Sequence, residues 1–468
     1  MAPLSPMEMT HEISMDQMGK YTLRWTPGED DIIFEVHVAT KGYIGIGFST
    51  NGGMKGSDVI IGGVDDATNE VYLTDRYATG NTVPQVDASQ DVKLLGGYQN
   101  TTHTSLRFSR KWNTCDDKED LELSKEDTVR LIWAYGAADP KNKDPMAISY
   151  HSQRGSKSIY LNEPRLQLPK MSADIKSWEI RSPNVQLPDN LTTLYWCKLF
   201  KIPRLTRKTH VIGYVPVISD DNIQHVHHIL LYECHLPESE GYYEKWVDVD
   251  GAQCFSANMP VSWRYCNSPL VAWAIGGEGN FAPDNVGFPL GEEHGGATYF
   301  MMEMHYDNPN LRKGVVDNSG LRIYYTENLR QYDAGILMTG HKVTPMQIIP
   351  PRQQWFSVGI CEAYDCFFKT SPETGINVFA GILHSHLLGR NITLRHVRDN
   401  KELPVVLRDL NYDFNFQETR NLKNELKVKR GDYLITECGL DSTARSKATF
   451  GDAEMLEDAS RKWLESSA

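Results

Sequence analysis

Short runs in which apolar and polar residues alternate recur along this chain and restrict it to sheet structure. In Asp31-Ile-Ile-Phe-Glu-Val-His-Val-Ala, the residues Ile32, Phe34, Val36 and Val38 lie two apart and share one face of a strand. Glycines in Gly42-Tyr-Ile-Gly-Ile-Gly-Phe48 and Asn51-Gly-Gly53 mark tight connections between such strands. The pattern predicts a β-sandwich over residues 10–162. Pro164, Pro169, Pro183 and Pro188 then interrupt any regular element, which predicts a linker over 163–190. Beyond it, Thr192–Phe200, Thr209–Val217, His225–Glu233, Thr298–Tyr306, Ser319–Thr326, Asn377–Leu387 and Asp432–Cys438 read as strands separated by Gly and Pro turns. Many short strands of this kind build sandwiches or jelly rolls, so the fold class is all-β. The tail from Asp452 to Ala468 reads instead as a polar amphipathic helix.

Two of these strand-like runs carry histidine clusters, His225-Val-His227-His228-Ile-Leu-Leu-Tyr-Glu-Cys234 and Val378-Phe-Ala-Gly-Ile-Leu-His384-Ser-His386-Leu-Leu-Gly389. On a strand, the i,i+2 pair His384 and His386 projects two imidazoles from one face, at a separation that one ion bridges. Neutral imidazole ligates copper, zinc, iron or nickel. Neighbours on a flat strand diverge, so His227 and His228 reach one ion only if a bulge or strong twist turns one ring toward the other. The pair also needs a third ligand. His305 is the candidate, in Tyr299-Phe-Met-Met-Glu-Met-His305-Tyr-Asp-Asn-Pro309, a strand-like run that ends at an Asn-Pro turn signal. Each histidine alone reads as a core or surface residue; their combined spacing points to metal, held on two neighbouring β domains over 191–325 and 326–450.

A chain of 468 residues implies several domains. Its net charge of −13, with no basic run, excludes nucleic acid or an anionic membrane as the main partner. No apolar stretch approaches the roughly 18 residues of a membrane span. Eight cysteines, none in a CxxC pattern, lie at Cys115, Cys197, Cys234, Cys254, Cys266, Cys361, Cys366 and Cys438. An even count at wide spacing suits disulfides in an oxidising compartment, and the sequons at Asn100, Asn190 and Asn391 are compatible with that. The N-terminus, Met1-Ala-Pro-Leu-Ser-Pro-Met, has no apolar signal segment, so either a leader is missing or the chain is not secreted.

Several longer motifs follow one another in a recognisable order: Thr193-Leu-Tyr195-Trp-Cys197, His227-His228-Ile-Leu-Leu-Tyr-Glu-Cys234, Ala272-Trp-Ala-Ile-Gly-Gly277, Glu303-Met-His305-Tyr-Asp-Asn-Pro309, Asp317-Asn-Ser-Gly-Leu-Arg322, His384-Ser-His386-Leu-Leu-Gly-Arg390, Phe414-Asn-Phe-Gln-Glu418 and Leu434-Ile-Thr-Glu-Cys438. Through them the chain resembles the copper type II, ascorbate-dependent monooxygenases, in the dopamine β-hydroxylase-like branch. Gly42-Tyr-Ile-Gly-Ile-Gly-Phe48 and Met54-Lys-Gly-Ser-Asp58 resemble the DOMON domain that precedes the catalytic pair in that branch. The resemblance reaches to about Phe450. It implies a DOMON sandwich and two jelly-roll-like copper domains. One copper would be held by His227, His228 and His305, the other by His384, His386 and a methionine thioether, a soft ligand that favours Cu(I). In such enzymes ascorbate reduces both coppers; the methionine-ligated centre binds O2 and abstracts hydrogen from an activated C–H, and the three-histidine centre supplies the second electron. Tyr195 and His384 match positions the family treats as catalytic, although Tyr195 reads equally as an aromatic packed beside a disulfide. Two residues before His384, the peptide-amidating branch carries an arginine that grips the substrate carboxylate; here Ile382 stands there, which weighs against peptide amidation, and the DOMON resemblance points the same way, toward a small phenylethylamine-like substrate. The resemblance places the chain in the secretory lumen or outside the cell, and pairs Cys197 with Cys254 and Cys234 with Cys266.

The chain departs from the pattern at its end. The family closes the second site with a methionine in Glu-Met-Cys, whereas this sequence runs Phe450-Gly-Asp-Ala-Glu-Met455-Leu-Glu-Asp. Met455 sits early and lacks the cysteine, so it is not the expected ligand, and the second copper domain is expected to be C-terminally incomplete over 326–450 with a divergent tail over 451–468. Cys115, Cys361, Cys366 and Cys438 are then expected to be unpaired, or Cys361 to pair with Cys366, and a sheet edge to be exposed. Two alternatives follow: a copper-binding isoform impaired in turnover, or a DOMON-based electron carrier with a haem between Met54 and His151. A zinc hydrolase is disfavoured because no HExxH is present.

Overall fold

The structure is a computed structural model that describes residues 4–16, 18–140, 146–163, 172–235, 239–254, 256–275, 277–341, 346–362 and 373–450. The chain divides into two compact units, Met1–Arg165 with Asp409–Asn411, and Leu166–Arg408 with Tyr412–Ala468.

The first unit is the sandwich that the alternation predicts. One sheet orders the strands His11–Ser14, Tyr21–Pro27, Asp31–Val38, Thr104–Lys111 and Val92–Gln99; the other orders Gln153–Ile159, Val129–Tyr135, Ile44–Ser49, Asp58–Val64, Val71–Tyr77 and Gln85–Val86. Ile32, Phe34, Val36 and Val38 are all buried and pack with Phe48, Phe108, Leu131 and Trp133. Gly47 belongs to the close approach of two strands, since a Cβ there would stand 2.7 Å from the Asp58 carbonyl oxygen. Beside this apolar core lies a buried carboxylate group, Asp58, Asp75 and Asp120, whose oxygens converge within 4.8 Å. Arg110, itself buried, pairs with Asp58 and Asp120. Burial pushes Asp58 up to about 6 and Asp75 up to about 8, and the charge of Asp58 adds to the effect on Asp75. Cys115 is an exposed thiol of this unit.

The second unit holds both histidine clusters. Its first part stacks the strands Ile175–Arg181, Gly320–Thr326, Thr209–Val217, Val286–Leu290 and Tyr332–Asp333 against a sheet ordered Ala252–Gln253, Thr193–Lys201, Tyr299–Asp307, Val226–Cys234 and Cys266–Ala274. Ile180, Ile229, Leu231, Phe300, Met302, Met304 and Ile323 fill the space between them. Its second part pairs Gln354–Glu362, Tyr433–Asp441, Gly389–Arg398 and Lys401–Glu402 in one sheet and Ile376–Gly381 with Arg420–Val428 in another, around Leu383, Ile392, Tyr412, Val428 and Leu434. Gln354–Glu362 is the outer strand of its sheet among the described residues, with Phe356 66% and Ile360 65% exposed.

Three expectations need correction. The stretch over 163–190 is not a plain linker, because Ile175–Arg181 pairs with Gly320–Thr326 along its whole length and Trp178 meets Phe300 edge-on. Pro183 and Pro188 lie beyond that strand rather than within it. The strand expected over Asn377–Leu387 ends at Gly381, so His384 and His386 stand in irregular backbone. Cys361 is disulfide-bonded, against the expectation that it is unpaired, while Cys366, the partner expected otherwise, lies outside the described residues. The pairs Cys197–Cys254 and Cys234–Cys266 are both formed. Met455 and the tail over 451–468 also lie outside the described residues.

Candidate metal centres

The first cluster is built by three neighbouring strands. Tyr195 on Thr193–Lys201 stands opposite His305 on Tyr299–Asp307, which stands opposite His228 on Val226–Cys234. The ladder between the last two strands shifts register between Val226 and His228, so His227 is an extra, bulged residue. That bulge is the local distortion that adjacent histidines require to share an ion. His228 Nδ1 lies 3.2 Å from His227 Nδ1 and 3.3 Å from His305 Nδ1. Nitrogens bound at about 2.0–2.1 Å to one metal ion lie about 3.3–3.6 Å apart on a tetrahedral or trigonal sphere. The three rings therefore have the separation of a ligand set.

Their outward nitrogens have polar neighbours. His305 Nε2 lies 2.7 Å from Thr193 Oγ1, His227 Nε2 lies 3.1 Å from Asn415 Oδ1, and His228 Nε2 lies 4.0 Å from Glu303 Oε1. The Asn415 amide oxygen is an acceptor that holds the proton on His227 Nε2 and leaves its Nδ1 bare for a metal. Burial, and behind it the neighbouring imidazoles of His305, His227, His384 and His386, hold His228 well below the ordinary histidine range. The ring is thus neutral, the form that ligates. Glu303, two residues before His305, is buried with Oε2 unpartnered, and burial pushes it up to about 7. Tyr195 stacks on His305 at 4.2 Å with the rings nearly parallel, and it also packs against the cluster around the Cys197–Cys254 disulfide.

The second cluster depends on a clamp rather than a ladder. Tyr412, almost fully buried, accepts from Ser385 N at 2.9 Å and donates to Ser385 O at 2.7 Å. The Cys438 thiol lies 3.3 Å from Ser385 Oγ. With Ser385 held from both sides, the rings of His384 and His386 stand edge to face, their centroids 5.3 Å apart. His384 Nδ1 lies 2.6 Å from Gln417 Oε1. Burial, then the charge of His386, lowers His384 below the usual histidine range. The structure brings together His227, His228 and His305 around one point and His384 with His386 around another.

Four residues beside these rings carry no ligand chemistry and were not singled out from the sequence: Thr193, Tyr412, Asn415 and Gln417. The last two sit in Phe414-Asn-Phe-Gln-Glu418, where two amides two apart beside an aromatic were the available signal. Met54 and His151, the haem candidates, sit apart in kind: Met54 packs with Tyr43, Val59 and Ile61, and His151 lies against Tyr150.

Comparison with known proteins matches residues 17–136 to the DOMON domain, 178–313 to the N-terminal domain of the copper type II ascorbate-dependent monooxygenases, and 332–458 to their C-terminal domain. The chain is 40% identical over 448 residues to the DBH-like monooxygenase protein 1 of Homo sapiens, a match covering 94% of this chain and 70% of that protein. The chain belongs to the copper type II ascorbate-dependent monooxygenases, in their DBH-like branch. Within the same family it is 40% identical to MOXD1 homolog 1 of Drosophila melanogaster, over 95% of this chain and 64% of that protein. It is 32% identical to the dopamine beta-hydroxylase of Homo sapiens, over 96% of this chain and 71% of that protein. The chain thus spans about two thirds of the length of these family members. Among the described residues, no helix is long and apolar enough to cross a membrane.

Proposed function

We propose that this chain is a copper- and ascorbate-dependent monooxygenase that uses O2 to hydroxylate an activated C–H bond of a small, phenylethylamine-like amine in the secretory lumen or outside the cell. The observation that carries the reading is the convergence of three Nδ1 atoms, 3.2 and 3.3 Å apart, from a bulged strand and its neighbour. In this reading His227, His228 and His305 hold one copper, and His384 and His386 contribute to the second. Bound copper would supply one-electron redox chemistry and the activation of O2. The chain's own part is to keep His228 and His384 neutral by burial, to orient the rings of His227 and His384 through Asn415 and Gln417, and to place Tyr195 against His305. Ile382, two residues before His384, offers no cation to a substrate carboxylate, which supports an amine over a peptide with a free C-terminus. The disulfides of the second unit support an oxidising compartment.

The test is the copper stoichiometry of the purified chain, with His384→Ala as control. Two coppers per chain, one lost in the variant, together with ascorbate-dependent hydroxylation of a phenylethylamine, is the expected result. One copper that the variant retains would overturn the monooxygenase reading and leave a copper-binding protein without turnover.

A further inference from the structure

A five-residue turn, Asp413 to Gln417, reaches both histidine clusters although the chain places it with the second alone. The turn is closed by Phe416 N donating to Asp413 O at 2.9 Å. From it Asn415 presents Oδ1 to His227 Nε2 at 3.1 Å, the Phe414 ring lies over the His227 ring at 5.5 Å, and Gln417 presents Oε1 to His384 Nδ1 at 2.6 Å.

The direction of each contact is fixed by the other end of the amide. Asn415 Nδ2 donates to Asp413 Oδ1 at 3.3 Å. The amide oxygen therefore faces His227, whose Nε2 must carry the proton, leaving Nδ1 bare toward His228 and His305. Gln417 Nε2 donates to the Phe414 carbonyl at 2.7 Å, so its oxygen faces His384. There the proton sits on Nδ1 and Nε2 is bare. One turn thus imposes opposite tautomers on two histidines, one from each cluster. Isolated imidazole exchanges between the two forms, and only one of them offers the inward nitrogen to a metal.

We propose that the Asp413–Gln417 turn sets the tautomers of both centres, with Asn415 and Gln417 as positioning residues, and that the three-histidine centre is completed by a residue of the second copper domain. The inference rests on the metal-binding reading of the five histidines. Deleting such an outer partner typically costs about 10–100-fold in metal affinity.

The test uses the full-length chain with 15N-labelled histidine, metal-free at pH 8, and compares Asn415→Leu with Asn415→Asp and Gln417→Leu with Gln417→Glu. Each acidic variant keeps an acceptor in place; each leucine removes it. Nitrogen chemical shifts report the tautomer, and Cu(I) competition titration reports each site's affinity. In the parent, His227 is expected as the Nε2–H form and His384 as the Nδ1–H form. Asn415→Leu should turn His227 into a mixture and weaken Cu(I) at the three-histidine site about 10–100-fold, with His384 unchanged. Gln417→Leu should do the reverse, and each acidic variant should retain the parent tautomer. A His227 or His384 tautomer indifferent to its leucine variant overturns the proposal. A parent chain that takes up no Cu(I) overturns the metal-binding reading instead, which the tautomer spectra distinguish because they need no metal.

Discussion

At the scale of single residues, the buried carboxylates of the first unit carry a pH dependence. Asp75 accepts from the backbone N–H groups of Arg76 and Asp91, yet burial and the nearby Asp58 push it up to about 8. In the unfolded chain an aspartate titrates near 3.9. Between about pH 4 and pH 8 the folded unit therefore keeps a proton that the unfolded chain has released, and its stability falls as pH rises through that window. Asp58, at about 6, acts in the same direction over the lower part. The first unit should melt at a higher temperature at pH 5 than at pH 8, and Asp75→Asn should flatten that slope; equal slopes in the variant and the parent would refute the assignment. Of the candidate site, the clustering of the histidines was legible because imidazoles at these spacings are rare, and the distortion at His227 followed from asking how neighbours on a strand could meet. Asn415 and Gln417 were not, because an amide's role depends on which of its ends is already occupied, and only Asp413 and the Phe414 carbonyl settle that.

Among the elements, Tyr299–Asp307 is the most constrained, buried on both faces from Tyr299 through Tyr306. It pairs with Thr193–Lys201 on one side and Val226–Cys234 on the other, so it sets the height of His305 between Tyr195 and His228. Phe300, fully buried, anchors it against Trp178 of the opposite sheet. Phe300→Ala should cost about 3–5 kcal/mol in denaturant unfolding of the second unit; a loss below about 1 kcal/mol would mean the strand is held chiefly by its ladder. Period-2 patterning located this strand and its neighbours within a residue or so. It passed over Cys266–Ala274, Val286–Leu290, Gln354–Glu362, Gly389–Arg398 and Arg420–Val428, and it misread two further places for different reasons. The prolines of 163–190 drew attention away from Ile175–Arg181, where only Trp178 and Ile180 keep the two-residue spacing and Ile175 is out of phase with them. At His384 the i,i+2 spacing looked like a strand, but Tyr412 holds Ser385 by a hydroxyl contact that no periodicity encodes.

For the whole molecule, the division into two units assigns all five clustered histidines to the second and the carboxylate group to the first. The two halves should thus respond to different solutes. Calorimetry with Cu(I) at about one hundred times its dissociation constant should raise the unfolding free energy of the second unit by about 2.7 kcal/mol. The first unit's transition should stay where it was, and a copper-dependent shift in that transition would place a binding group among its residues. The sandwich architecture of both units was legible from alternation and turns. Their grouping was not, because it depends on which sheets share a core, as Ile180 and Phe300 do across more than one hundred residues of sequence.

The bulge at His227 ties the three-histidine centre to a count of residues rather than to their kinds. Apolar neighbours such as Ile229 and Leu231 can be exchanged for others of similar volume, one substitution at a time, with the ladder intact. Removing one residue at the bulge would instead let the strand pair evenly with Tyr299–Asp307 and leave two histidines where three now meet. Point substitution can therefore wander through this strand over evolutionary time, whereas an in-frame loss of a single codon at that position ends the lineage of the site.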